Sequence, residues 1–127
     1  MADAPYPIAF DEIAGAPIAG TVLCRREDLA NNGCVELSYR LGDKLFNGFI
    51  CEFDGFVRAY ENKCPHTGAP LNILQGQFFS RDGDNLQCHM HDARFNPKNG
   101  RCTQGPCRDE WLRAIKIILD GDKVLAG

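Results

Sequence analysis

Hydrophobic and polar positions alternate from Cys34 to Leu41, with Val35, Leu37, Tyr39 and Leu41 on one side and Glu36, Ser38 and Arg40 on the other. A period of two over eight residues predicts a half-buried β-strand. Gly42-Asp43 then turns the chain into a bulkier run, Lys44 to Phe53, carrying Phe46, Phe49, Ile50 and Phe53. Asp54-Gly55 is a hairpin signal, and Phe56 to Tyr60 forms the return strand. Upstream, Thr21 to Cys24 is a short β-prone run, and Asn31-Asn32-Gly33 breaks the chain after it. Residues 1–19 read as an irregular arm with one short strand near Ile8 to Phe10, packed on the body of the protein. Downstream, Pro70 to Leu74 and Gln77 to Phe79 lead to the polar turn Ser80 to Asn85, and Leu86-Gln87 follows. Near the C-terminus Leu112, Ala114, Ile117 and Leu119 alternate, and Asp120-Gly121-Asp122 turns them back into Lys123 to Leu125. Successive hairpins with no long helix predict an all-β fold, an antiparallel sandwich or barrel.

A chain of 127 residues makes one domain, 1–127, with enough core to fold without disulfides. Its 17 acidic and 14 basic residues give a net charge of -3, which argues against non-specific nucleic-acid binding. The first fifteen residues have neither a cationic segment nor a long apolar one, and the run around Ile117 to Leu119 is too short to span a bilayer. The expectation is a soluble, cytoplasmic protein with no membrane partner. Seven cysteines would suit a secreted scaffold, but Cys24, Cys34, Cys51, Cys102 and Cys107 form an odd set once Cys64 and Cys88 are set aside. Reduced thiols are therefore expected, including Cys102 and Cys107, which flank a Gly-Pro turn and would pair only under oxidation.

Cys64 and Cys88 are set aside because each opens a mixed pair. Cys64-Pro65-His66 has the spacing C-x-H and Cys88-His89-Met90-His91 the spacing C-x-x-H, with twenty-one residues between His66 and Cys88. Two thiols and two imidazoles suit zinc or an iron-sulfur cluster rather than a hard, oxygen-seeking cation. Zinc fingers generally pair like with like, whereas two irons held separately by cysteines and histidines require one ligand of each kind from each loop. In CPHTGAPL at 64–71, CHMHDARF at 88–95 and GRCTQGP at 100–106, the sequence resembles the Rieske [2Fe-2S] family, and the resemblance runs from about Thr21 to Val124.

The resemblance implies a Rieske-type antiparallel sandwich or barrel, with a base at 1–61 and 107–127 and an inserted cluster-binding subdomain at 62–106. It implies one [2Fe-2S] cluster per chain, with Cys64 and Cys88 on one iron and His66 and His91 on the other. His89 falls at a spacer position and is read as a partly exposed, non-ligating side chain. Glu27-Asp28-Leu29 resembles the turn or helical segment that follows the first strand of such domains, and Pro106 matches a proline that shields the cluster. The spacing between the motifs exceeds the more familiar one, which the turn at Ser80 to Asn85 absorbs. High-potential members carry a loop-to-loop disulfide at the positions of Ala69 and Met90, and hydroxyl donors at those of Ala93 and Phe95. All four residues here lack those groups, which implies a low potential within the family.

No histidine remains for the mononuclear iron site of a catalytic oxygenase, so the implied role is a ferredoxin rather than an enzyme. Such a one-electron carrier works between a flavin reductase and a terminal oxygenase or similar acceptor. The alternatives are a small subunit of a larger reductase, such as a nitrite reductase, and a structural zinc module. Lys63, Arg94, Lys98 and Arg101 lie near the motifs and read as ordinary solvated charges more readily than as a steering patch for an acidic partner.

Overall fold

The computed structural model describes residues 4–30, 33–65, 67–74, 76–89 and 92–127. Among these residues nine strands make three antiparallel sheets, and the only helical segments are 3-10 turns at Phe10–Glu12 and Arg26–Leu29. The central sheet is a meander of β2 (Cys34–Leu41), β3 (Lys44–Phe53) and β4 (Phe56–Glu61). Its register is continuous, Cys34 facing Cys51 and Leu41 facing Lys44, then Phe53 facing Phe56 and Gly48 facing Glu61. A second sheet joins β1 (Val22–Arg25) to β9 (Lys123–Ala126) and β9 to β8 (Ile117–Asp120). The third, built from β5 (Leu86–Gln87), β6 (Arg94–Phe95) and β7 (Cys102–Gln104), starts just before the second motif and ends beyond it.

The central sheet divides two cores, because side chains leave a strand alternately to its two faces. From β3 and β4, Ile50, Val57 and Ala59 join Phe10, Leu29, Ile115 and Val124 in one cluster. Phe49, Cys51 and Tyr60 join Leu71, Phe78, Leu86, Phe95 and both motif cysteines in the other. Phe49 stacks on Phe78 with ring centroids 4.0 Å apart, which ties the central sheet to the segment between the motifs. Gly48 lets β4 and the C-terminal segment approach closely, since a Cβ there would lie 2.6 Å from Ile115 Cδ1.

Three expectations change in detail. The N-terminal arm packs on the body through Ile8, Phe10 and Ile13, yet Ile8 makes a single bridge to Ile115 rather than a strand, and Phe10 opens a 3-10 turn. Leu41 is 61% exposed although Val35, Leu37 and Tyr39 face the core, because β2 and β3 run past the end of that core. The alternation from Trp111 to Leu119 yields a strand only from Ile117. Before it, the chain lies along β4 through Glu61 N–H to Arg113 O and Ile115 N–H to Ala59 O, both 2.8 Å, with an isolated bridge from Ala114 to Tyr60, while Trp111 bridges Arg101. Glu27-Asp28-Leu29 belongs to the 3-10 turn Arg26–Leu29, as expected of the segment after the first strand.

Candidate metal centre

Strand β4 ends at Glu61 and delivers Cys64 three residues later, while β5 ends at Gln87, immediately before Cys88. Both cysteines are fully buried, at 0% exposure, in the same core cluster. The backbone around each closes in the same way. Cys64 N–H donates to Ala69 O (2.8 Å) and Gly68 N–H to Cys64 O (2.7 Å); Cys88 N–H donates to Ala93 O and Asp92 N–H to Cys88 O, both 2.8 Å. The residue four places after each cysteine has positive φ, +76° at Gly68 and +59° at Asp92. Each motif is thus a six-residue loop with a buried thiol at its first position.

Neighbouring groups lock these loops to one another. His89 N–H donates to Leu71 O at 2.8 Å, joining the second loop to the exit of the first. Asn62, 8% exposed, accepts from Leu71 N–H through Oδ1 (2.8 Å) and donates through Nδ2 to Asn72 Oδ1 (2.9 Å). Asn72 and Gly76 N–H in turn reach the Glu36 carboxylate on β2. Across the second loop, Gln87 Nε2 donates to the Asp92 carboxylate. Sequence reasoning did not single out Asn62 or Asp92. A polar residue two places before a motif cysteine is the signal that would have pointed to Asn62.

His66, His91 and Met90, which the sequence placed in or beside the ligand set, lie outside the described residues. His89 is half-buried, and its Nε2 has no hydrogen-bond partner among the described residues. Among those residues no three His, Cys, Asp or Glu side chains converge as a metal site. Ala93 and Phe95, both 0% exposed, present a methyl group and a phenyl ring to the core that holds the two cysteines, with no hydroxyl from either position. The nearby Tyr60 hydroxyl donates to Pro97 O at 2.9 Å.

Segment 102–107 lies against the second loop. A Cβ on Gly105 would fall 2.8 Å from the Ala93 Cα. Pro106, expected to shield the site, is itself exposed on this segment. Cys102 and Cys107 are buried free thiols with sulfurs 2.7 Å apart. Burial first, then the Cys102 thiol and the Cys64 sulfur nearby, hold the Cys107 thiol well above its ordinary pKa. Elsewhere burial pushes Cys34 up to about 12.

Three of the four cations expected near the site are engaged locally. Lys98 pairs with Asp54 (3.0 Å) and sits over the Phe56 ring, Arg101 pairs with Asp109 (2.7 Å), and Arg94 lies 3.7 Å from Asp82. Lys63 is exposed beside the first loop.

Comparison with known proteins gives a family match: the Rieske [2Fe-2S] domain model covers residues 20–118. The oxygenase component of chloroacetanilide N-alkylformylase from Rhizorhabdus wittichii is 41% identical over 56 residues, 44% of this chain and 14% of that protein. The ferredoxin subunit of 3-phenylpropionate/cinnamic acid dioxygenase from Photorhabdus laumondii is 25% identical over 100 residues, 79% of this chain and 87% of its own length. The chain thus spans about a seventh of the oxygenase component but most of the ferredoxin subunit. Among solved structures, a chain in the complex of reduced oxygenase and oxidized ferredoxin of carbazole 1,9a-dioxygenase superposes with a TM-score of 0.63 at 22% identity, covering 84% of this chain and 91% of that one.

Proposed function

We infer, since the chain belongs to the Rieske [2Fe-2S] family, that it is a ferredoxin delivering single electrons to a terminal oxygenase. The observation that carries this is the pair of buried cysteines at the same position of two matched loops that are hydrogen-bonded to one another. Such loops suit a cofactor bridging them, and a donor set of two thiolates and two imidazoles suits the Rieske cluster. In this reading the thiolates of Cys64 and Cys88 would hold one iron and the imidazoles of His66 and His91 the other. Residues 62–106 form the cluster-binding subdomain on a base of 1–61 and 107–127.

When bound, such a cluster supplies one-electron transfer at a potential raised by its neutral imidazole ligands. The chain's own residues do the rest. Buried Cys64 and Cys88 keep their side of the site from water, and Leu71, Ala93 and Phe95 lower the local polarity. Asn62 and His89 N–H fix the loop spacing, which limits rearrangement between redox states. Thr67, Gly68 and Pro70 are exposed at the first loop, which leaves that loop open to a docking partner.

A partner is suggested by the likeness to a dioxygenase ferredoxin subunit along most of its length, and by the fold shared with a ferredoxin in complex with its oxygenase. The decisive experiment has two stages. Anaerobically purified protein should contain about two irons per chain and, reduced with dithionite, give a rhombic EPR signal of low average g. It should then be reduced by NADH through a flavin reductase and reoxidised by a terminal oxygenase, one electron per chain. Zinc without that signal rejects the reading at the first stage. Co-purification in a fixed complex with a larger reductase replaces the mobile carrier with a resident subunit.

A further inference from the structure

Two of the cysteines that this function leaves unused lie beside the site. Cys102 and Cys107 bracket a segment that folds back on itself. Asp109 N–H donates to Cys102 O (3.0 Å), Cys102 N–H to Glu110 O (2.8 Å), and Glu110 N–H to Cys107 O (2.8 Å). This network holds the two sulfurs 2.7 Å apart, closer than two resting thiols need to sit. Joining them requires a sulfur movement of under about 1 Å, because a disulfide spans about 2.05 Å. Both are buried at 1% exposure or less, so the segment must open briefly before a reagent reaches them. A cavity of about 180 Å³, lined by Arg101, Cys102, Thr103, Arg108 and Asp109, provides a short way in. Thr103 to Pro106 are exposed, which makes this the side on which opening disturbs least packing.

We propose that Cys102 and Cys107 are a reversible redox site, in which a peroxide converts the dithiol to an intrachain disulfide that fixes segment 102–107 over the second loop. One thiol attacks a peroxide oxygen, breaking the O–O bond and leaving a sulfenic acid and one water. The second thiol attacks that sulfur, forming the S–S bond and releasing a second water. The two thiols give up two electrons and hydrogen peroxide takes them. A small dithiol reductant reverses the change and becomes a disulfide itself. With Gly105 against Ala93 and the Cys107 sulfur near Cys64, the disulfide stiffens the wall of the metal site itself.

The test uses the iron-loaded protein under argon and does not depend on any electron-transfer partner. After a small molar excess of hydrogen peroxide and quenching with catalase, the protein is denatured in N-ethylmaleimide and its bound labels are counted by intact mass. The seven cysteines should carry seven labels before treatment and five after it, the missing two mapping by peptide mass spectrometry to a Cys102–Cys107 link. Visible absorption should persist throughout, and a dithiol reductant should restore seven labels. A Cys107→Ala variant should form no link. Seven labels after treatment, or a link at Cys64 and Cys88 or at Cys34 and Cys51 instead, overturns the proposal; the wild-type result decides the matter even if the variant does not fold.

Discussion

Loops 64–69 and 88–93 are closed by the same two hydrogen bonds and start from the same buried thiol, yet one turns on Gly68 and the other on Asp92. Positive φ is open to glycine without steric cost, whereas an L residue there is strained by roughly 1–2 kcal/mol, less for Asp and Asn. The first loop is relaxed and projects into solvent, with Thr67 and Gly68 exposed and Asn62 holding its base. The second carries the strain and is held from outside, by Gln87 on the Asp92 carboxylate and by segment 102–107 on Ala93. A third stretch, Asn96 to Arg101, closes in the same way through Asn96 N–H to Arg101 O and Gly100 N–H to Asn96 O, with Gly100 at φ +80°. It starts from Asn, so the backbone form alone does not set the two motif loops apart; the buried thiol at the first position of each does.

The largest effect should come from removing that thiol. Cys64→Ala and Cys88→Ala are each expected to take bound iron from about two per chain to near none and to abolish the EPR signal. His89→Ala should leave iron content unchanged. Retention of the cluster by either cysteine variant would break the equivalence of the two loops.

A second effect separates the loops by polarity. Ala93 and Phe95, on the second side, bring no hydroxyl to the site, and fewer hydrogen bonds to cluster sulfur lower the potential. Voltammetry should place the midpoint below about +100 mV, within a Rieske range of about -150 to +300 mV. Phe95→Tyr, which brings a hydroxyl to this position, should raise it. A wild-type value well above that bound would show that donors outside these two positions dominate.

Next in size is the clamp on the first loop. Asn62→Leu leaves the buried Leu71 N–H without its acceptor, an expected loss of about 2 kcal/mol in thermal or denaturant unfolding. Asn62→Asp keeps that acceptor but loses the donor to Asn72, and should cost about half as much.

These residues also mark how far the sequence alone could be read. The bounds of β3 and the hairpin at Asp54-Gly55 were legible because a bulky apolar run and the turn chemistry at its two ends act locally. The positions of the two motif loops were legible for a similar reason, since each is marked locally by its cysteine, and both cysteines are buried at the start of a loop. The shape of the loops was not legible. It rests on hydrogen bonds such as His89 to Leu71 and Asn62 to Leu71, whose partners are set by the fold rather than by local pattern. Leu41 shows the same limit, since alternation gives its face but not where the core ends. Lys98 and Arg101 show it for charge, because their partners Asp54 and Asp109 are fixed by tertiary packing or a tight turn.

The smallest effect tests the strain itself. A Cβ on Gly68 would meet, among the described residues, only Lys63 Cε at 3.6 Å, an ordinary contact. Any cost of Gly68→Ala is therefore conformational, and about 1 kcal/mol is expected in unfolding of the iron-loaded protein. Gly68→Asp should cost less than the alanine, because Asp tolerates this backbone region better. At the other loop, Asp92→Gly relieves the backbone but gives up the bond from Gln87 and adds unfolded-state freedom, so stability should stay within about 0.5 kcal/mol of the parent. Asp92→Ala loses the bond and keeps the strain, and should fall by about 1 kcal/mol. If Asp92→Gly instead destabilises as much as Asp92→Ala, the Gln87 contact rather than backbone geometry holds the second loop, and the asymmetry between the loops lies in their side chains.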